Sequence, residues 1–378
     1  MYTRIIQPPK DKSFFLFGPR GTGKTTWLKN NFPKAVYLDL LEAELYNDFL
    51  ANPQRLENFI PNGFNGWIIL DEVQRVPLLL NEVHRLIEKR KLKFILTGSS
   101  ARKLKQKDVN LLAGRALTYH LYPLTSLELK ADFSLEHALQ YGQLPATFSE
   151  IDKKRYLESY VSTYLREEIQ QEGLARNLST FSRFLETASF SQGQVLNMSE
   201  VARECTCHRK VVENYFSILR DMMIGDYLFV FSKKAKRRLI LHPKFYFFDA
   251  GIYRTLRPAG PLDLPSEIEG IALETFVYQE IKALNDYLGL GYSLFYWRSA
   301  NQFEVDFVLY GKKGIIALEV KRTKKPSSKD FKGLEMFLRD YPSSKAYFIY
   351  LGERAMSEGK ISILPLKEFL KQFSQEKI

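Results

Sequence analysis

The chain has 378 residues, enough for two or three domains, each with its own core. Hydrophobic residues make up 45% and charged residues 26%, the balance of an ordinary folded globular protein, and the net charge of +12 at pH 7 favours an acidic partner such as nucleic acid. No apolar stretch reaches the roughly 18 residues of a membrane span, and the first residues contain no apolar signal core. The two cysteines, Cys205 and Cys207, flank one residue; they cannot staple distant segments and lack the second ligand pair of a zinc site. A reducing, cytoplasmic compartment is expected.

Taken in chain order, Phe14–Phe17 predicts a short buried strand. It runs into Gly18-Pro19-Arg20-Gly21-Thr22-Gly23-Lys24-Thr25, the full GxxxxGKT pattern. Glycines at this spacing let the backbone curl and turn its N–H groups toward phosphate oxygens. Lys24 then reaches the β- and γ-phosphates, and Thr25 offers its hydroxyl to Mg2+. A helix from about Thr25 to Asn30 points its positive end at the anion, so Gly18 to Thr26 are the candidate ATP-binding residues. Val36–Leu40 predicts a second strand. Gly66–Leu70 predicts a third that ends in Asp71-Glu72. At a strand tip Asp71 can hold Mg2+, and Glu72 can orient or deprotonate an attacking water. Val83–Lys89 reads as a crossover helix. Leu92–Leu96 predicts a fourth strand, and Thr97–Ser100 beyond it either sense the γ-phosphate or form a plain polar turn. In the basic stretch from Ala101 to Arg115, Arg102 or Arg115 could stabilise charge on the γ-phosphate, in cis or from a neighbouring subunit. A solvated basic surface is the alternative.

The middle of the chain reads as helical. Tyr156, Leu157, Tyr160, Val161, Tyr164, Leu165 and Ile169 have helical spacing, and a further helix is predicted over Leu178–Phe190. Met198–Glu204 predicts a short helix capped by Ser199, and His208–Arg220 a second one with Val211, Val212, Tyr215, Phe216 and Leu219 as its apolar stripe. Tyr227–Phe231 and Arg238–Leu241 then bracket a basic hairpin tip. A helix pair followed by a basic hairpin is a winged-helix pattern. In it His208, Arg209 and Lys210 open the recognition helix, and Lys233, Lys234, Lys236, Arg237 and Arg238 line the wing. Such residues would hold double-stranded DNA through its phosphates. A small linker domain facing water is the competing reading.

The C-terminal part predicts a helix over Ser266–Tyr287, then strands over Ser293–Trp297, Phe303–Leu309 and Ile315–Lys321. Glu319 and Lys321 are two apart on a strand and share a face, which Asp306 on the neighbouring strand can reach. Asp306 and Glu319 could share Mg2+ or Mn2+, Glu274 could complete the shell, and Lys321 could activate water for phosphodiester cleavage. A structural acid–lysine pair fits the same spacing. Glu304 is an alternative acid, and Glu267 and Glu269 compete with Glu274. Lys321-Arg322-Thr323-Lys324-Lys325 could hold a phosphate backbone or serve as a solubilising turn. A helix over Phe331–Leu338 and a strand over Lys345–Tyr350 are predicted to close this part.

Phe17–Thr25, Leu70-Asp71-Glu72-Val73-Gln74, Leu96–Ser100 and Leu111–Arg115, together with Trp297-Arg298, Glu304–Phe307 and Glu319–Lys321, resemble a large prokaryotic family of AAA-type ATPases. The resemblance covers nearly the whole chain. It implies an α/β protein: an AAA-type P-loop core over 1–125, a helical linker over 126–190, a winged-helix domain over 191–262, and a restriction-endonuclease-like PD-(D/E)xK domain over 263–378. Tyr141-Gly142-Gln143 stands where the family more commonly has a double glycine. Two functions follow as expectations. One is Mg2+-dependent ATP hydrolysis coupled to DNA binding, with metal-dependent cleavage as its extension. The other is an ATP-driven switch that binds protein partners or itself and keeps the nuclease-like fold as a silent scaffold.

Overall fold

The computed structural model describes residues 2–100, 112, 114–164, 178–232, 242–261 and 263–378. The chain divides into two compact units, Met1–Leu124 with Asp221–Ile224, and Thr125–Arg220 with Gly225–Ile378.

The first unit is built on β1 (Ser13–Phe17), β2 (Val36–Asp39), β3 (Trp67–Asp71), β4 (Lys93–Gly98) and β5 (Ala116–His120), with helices α1 (Lys24–Asn31), α2 (Ala43–Ala51) and α3 (Leu79–Arg90). The strands form a parallel sheet in the order β2-β3-β4-β1-β5. Every residue of β1 is buried, as expected for a central strand of a sheet covered on both faces. Phe15, Phe17, Leu70 and Leu96 pack with Phe49 of α2 and with Leu79, Val83 and Leu86 of α3. On the opposite face Phe14 meets Phe32 and Trp67, and Trp27 of α1 stacks edge-on against Phe32. Because all five strands run the same way, Phe17, Asp39, Asp71 and Gly98 end at one edge. Neither α2 nor β5 was predicted. The half-exposed β5 is an edge strand without a continuous apolar run.

The second unit begins with helices α4 (Ser126–Leu129), α5 (Leu135–Tyr141), α6 (Lys153–Ser159), α7 (Leu178–Phe190), α8 (Met198–Glu204) and α9 (Arg209–Asp221). Next come β6 (Gly225–Val230), β7 (Lys244–Phe247), α10 (Ala250–Leu256) and α11 (Pro265–Tyr287). The unit closes with β8 (Ser293–Arg298), β9 (Glu304–Gly311), β10 (Gly314–Lys321), α12 (Lys332–Asp340), β11 (Lys345–Tyr350), β12 (Met356–Glu358), β13 (Ile361–Pro365) and α13 (Leu366–Ser374). Its strands make one mixed sheet, β12-β13-β11-β10-β9-β8-β6-β7. The helix predicted to run through Ile169 instead turns into a π-helical stretch, Tyr160–Tyr164, and its later positions lie outside the described residues. The cap of α8 is Asn197 rather than Ser199, its side chain accepting from Glu200 N at 3.3 Å. The antiparallel partner of β6 is β7, while β6 also pairs in parallel with β8. Apart from Asp221–Ile224, the segments 126–190, 191–262 and 263–378 fall in one compact unit, with β6 and β7 built into the C-terminal sheet. Phe181 and Phe184 of α7, Tyr215 and Phe216 of α9 and Phe245 of β7 form an aromatic core with ring centroids 4.8–5.6 Å apart. No helix among the described residues is long and apolar enough to cross a membrane.

Candidate functional site

Between β1 and α1 the chain makes the phosphate-binding loop. Gly21 and Gly23 have φ of 80° and 89°, the left-handed region that glycine enters without strain. Gly18 is fixed by space instead, since a Cβ there would stand 2.3 Å from the Leu121 carbonyl oxygen. Lys24 is buried, and its ammonium donates to Gly18 O at 2.7 Å and Pro19 O at 3.1 Å. Thr22 Oγ1 closes the loop on Pro19 O at 2.9 Å. Arg20, Thr25 and Thr26 are exposed. Arg4, which carried no signal in the sequence, braces the loop from behind, donating to Thr22 O at 2.8 Å and Tyr122 O at 2.6 Å.

Asp71 ends β3 beside this loop. Its Oδ2 accepts from Thr25 Oγ1 at 3.1 Å and from the Tyr37 hydroxyl, and its Oδ1 accepts from the Thr97 hydroxyl and from Glu72 N at 3.2 Å. Burial, then the Asp71 carboxylate, push the Tyr37 phenol far above its usual pKa, so it remains a donor. Thr25, Tyr37 and Thr97 thus fix a carboxylate where a divalent ion on Thr25 would sit. That donor set, hard oxygens with one charge, fits Mg2+.

Glu72 is held differently. Its backbone φ of 56° is left-handed, an uncommon and strained position for a residue with a side chain. Its Oε2 accepts from Gln74 Nε2 and lies 3.4 Å from both Ser99 N and Ser99 Oγ. Gly98 leaves room for this glutamine, since a Cβ there would stand 2.3 Å from Gln74 Oε1 and displace the side chain. The structure therefore brings Lys24, Thr25, Asp71, Glu72, Thr97 and Ser99 to one edge, and adds Tyr37 and Gln74. Arg115 lies elsewhere. It precedes Ala116, which pairs with Ser13, whereas the loop follows Phe17, which pairs with His120. Four steps of strand, roughly 13 Å, separate the two ends, and Arg115 Nε is ion-paired to Glu88 Oε1 at 2.5 Å. Its own sheet thus keeps Arg115 from the phosphate in cis. Arg102 is outside the described residues.

In the second unit, β9 and β10 place Asp306 opposite Glu319, continuing the Phe307–Leu318 pairing. Asp306 Oδ2 accepts from Val320 N at 2.8 Å, and Lys321 Nζ lies 2.9 Å from Glu319 Oε1. Glu319 Oε2 is buried without a hydrogen-bond partner, an oxygen that a cation would satisfy. Burial and then Asp306 raise the Glu319 carboxyl, with Lys321 opposing. Glu274, expected to complete a metal shell, is engaged elsewhere. It accepts from the Tyr246 hydroxyl and lies 3.5 Å from Lys244 Nζ, which also pairs with Glu304. Among the described residues no three His, Cys, Asp or Glu side chains are grouped to hold a metal ion, so the expected three-carboxylate shell is not assembled. Asp306 and Glu319 remain as a two-carboxylate pair whose buried oxygen fits one divalent ion. Lys244 is the residue of this cluster that the sequence reading missed; its signal was a lone lysine opening the aromatic strand Lys244-Phe245-Tyr246-Phe247. Glu269 pairs with Arg322 at 2.5 Å, and Glu267 lies in the first turn of α11.

His208, Arg209 and Lys210 are exposed where α9 starts, with Arg209 Nε 2.8 Å from Glu213 Oε1. Lys233, Lys234, Lys236, Arg237 and Arg238 lie outside the described residues.

Residues 10–130 match the family model of an AAA domain. Residues 132–263 and 269–369 match models described as domains of unknown function (DUF8612 and DUF4143). Uncharacterized proteins of Mycobacterium tuberculosis and Mycobacterium bovis are each 26% identical over 347 residues, covering 89% of this chain and 76% of the relative. Among solved structures the Aeropyrum pernix ORC2 protein, in its ADPNP–ADP complexes, is similar over 71% of this chain and 89% of that one, at 13% identity and a TM-score of 0.37. The parallel sheet, its loop and the family match define the first unit as an AAA-type P-loop ATPase domain. The chain is thus an ATPase with a mixed α/β second unit.

Proposed function

We propose that the chain hydrolyses ATP with Mg2+ and couples that turnover to double-stranded DNA held through its phosphates by the second unit. The observation that carries the ATPase half is the hydroxyl-clamped Asp71 beside Thr25 and Lys24. Backbone N–H groups of Gly21 to Thr25 cradle the phosphates, and Lys24 follows the charge of the transferring γ-phosphoryl. Thr25 and Asp71 would hold Mg2+, which neutralises charge on the phosphates when bound. Glu72 orients the attacking water and takes its proton, and Gln74 and Ser99 set the carboxylate's direction. The DNA half is supported by the net charge of +12 and by exposed His208, Arg209 and Lys210 at one helix start.

A second reading extends this to metal-assisted phosphodiester cleavage, and the observation favouring it is the buried, partnerless Glu319 Oε2 beside Lys321. Asp306 and Glu319 would hold one ion there, and Lys321 would steady charge on the phosphate.

The deciding experiment measures ATP turnover with and without duplex DNA across a salt series. Lys24→Ala should abolish turnover, and Glu72→Gln should retain nucleotide binding while slowing hydrolysis. DNA stimulation that fades with salt supports the coupling. Turnover indifferent to DNA at low salt defeats it and leaves a switch acting on protein partners. Plasmid cleavage in Mn2+, lost in Asp306→Ala, tests the second reading; intact plasmid under every condition rejects it.

A further inference from the structure

The Lys244 side chain is only 3% exposed, yet it carries a full charge into the interior of the second unit. It is held from three elements. Glu304 on β9 pairs with its ammonium, Glu274 on α11 lies 3.5 Å away, and the Tyr296 ring of β8 sits 5.6 Å beneath it. Asp306 acts on it electrostatically from the same strand as Glu304. Burial alone would push the ammonium's pKa down, but the fields of Glu274, Asp306 and Glu304 outweigh it and leave the group more firmly protonated than a lysine in water. Tyr246, two residues along β7, donates to the same Glu274 oxygen that faces Lys244, so strand β7 supplies two partners to that carboxylate.

Four carboxylates meet in this region: Glu274, Glu304, Asp306 and Glu319. They divide into two pairs. Glu274 and Glu304 share Lys244, with Tyr246 donating to Glu274 and Arg298 Nε 3.8 Å from Glu304 Oε2. Asp306 and Glu319 are committed to a backbone N–H and to Lys321, which is 46% exposed, and Glu319 Oε2 is buried with no partner. A buried charge is held only where opposite charge and hydrogen bonds compensate it, so Lys244 cannot be withdrawn without stranding Glu274 and Glu304. Three cationic side chains are set among them: Lys244, Lys321 and Arg298, whose Nε lies 3.8 Å from Glu304 Oε2, and none of the three reaches Glu319 Oε2.

We propose that Lys244 is a built-in cation standing where a second metal ion would otherwise bind, so that this cluster takes no more than one divalent ion, on Asp306 and Glu319. The lysine is a positioning residue. It fixes Glu274 and Glu304 and removes them from the pool of metal ligands. This inference rests on the one-ion site of the cleavage reading only for the identity of that ion's ligands.

The test counts tightly bound Mn2+ by electron paramagnetic resonance on nucleotide-free, full-length protein carrying Lys24→Ala, which silences the phosphate loop. The chain with Lys244 intact should bind one Mn2+ or none, and any ion it binds should be lost in Asp306→Ala. Lys244→Met, close in shape and uncharged, should gain one Mn2+, whereas Lys244→Arg should keep the original count. Two tight ions with Lys244 in place, or no gain in a folded Lys244→Met protein, overturns the proposal. Should Lys244→Met fail to fold by circular dichroism, the count with Lys244 intact decides alone: one or none upholds it, and two overturns it. A count of none that rises to one in Lys244→Met sinks the cleavage reading while this inference stands. A count of one that does not rise does the reverse.

Discussion

Replacing Glu280 by Gln should make the second unit's stability markedly less dependent on pH. Glu280 is fully buried on α11 and accepts from Ser126 N at 2.8 Å and Ser126 Oγ at 2.7 Å. Burial pushes its carboxyl from 4.5 up to about 7, and the Ser126 donors offset this only in part. The sign follows from linkage. A carboxyl whose pKa is higher folded than unfolded binds more protons when folded, so its stabilising share is full below about pH 4.5 and is lost as pH rises through 7. At about 1.4 kcal/mol per tenfold, the loss between pH 5 and pH 8 is on the order of 2–3 kcal/mol. Gln keeps an acceptor for Ser126 N and offers its NH2 to Ser126 Oγ, and it has no proton to lose. Urea unfolding would be followed by Trp297 fluorescence in a Trp27→Phe, Trp67→Phe background, which leaves Trp297 as the remaining tryptophan of the three. Glu274, Glu319 and Asp249 are also raised by burial, but they are common to both proteins and cancel in the difference. The Glu280→Gln protein should therefore gain on its parent by that amount between pH 5 and pH 8. An equal difference in unfolding free energy at both pH values would refute the buried, proton-holding role of Glu280.

Gly142→Ala should lower the melting temperature sharply, by more than about 2 kcal/mol of stability, because φ there is +70° and a Cβ would lie 1.8 Å from Asp249 Oδ1. Thr97→Val keeps the shape of β4 but removes the hydroxyl from Asp71 Oδ1. Its cost of about 1.4 kcal/mol should appear as a roughly tenfold weaker apparent Mg2+ affinity in ATP turnover, with the melting temperature of the second unit unmoved. Phe184→Ala should cost the second unit about 3–5 kcal/mol in urea unfolding, since Phe184 is fully buried among Phe181, Tyr215 and Phe216.

The nucleotide site was legible because its chemistry is local in sequence. Gly18 to Thr25 is one loop, and Asp71-Glu72 is one strand tip, so spacing alone names the groups. The partners that aim those groups are not local. Tyr37 comes from β2 and Thr97 from β4, and they converge on Asp71 only because both strands flank β3 in register. The distance of Arg115 from the loop within one chain was hidden for the same reason. Closeness to a γ-phosphate sensor in sequence says nothing about which edge of a parallel sheet a residue occupies, and β5 had no apolar run to announce its direction. The strands β9 to β11 were legible from alternation and apolar runs, whereas the pairing of β6 with β8 depends on contacts between residues such as Phe229 and Phe295, far apart in the chain, that no local pattern encodes.

Helix α11 shows why buried ionisable groups escape a reading of hydrophobic pattern. Thr275 to Ile281 are all buried, nearly two turns without a solvent face. A helix stripe would place its polar residues outward, but here there is no outward side, and each polar group needs a dedicated partner. Those partners are found. Thr275 accepts from Gln192 Nε2 at 2.8 Å, Gln279 donates to Gln143 Oε1 at 2.9 Å, and Glu280 takes both donors of Ser126. Just before Thr275, Glu274 takes Tyr246 and Lys244. The partners lie in four separate segments of the chain, at Ser126, Gln143, Gln192 and the strand Lys244–Phe247. The same glutamates that look like surface decoration in sequence therefore pin α11 to the helices before it and to the edge of the sheet. A substitution at any one of them strands a partner inside the unit, which is why the charge-neutral Gln at position 280 is the informative change and Ala is not.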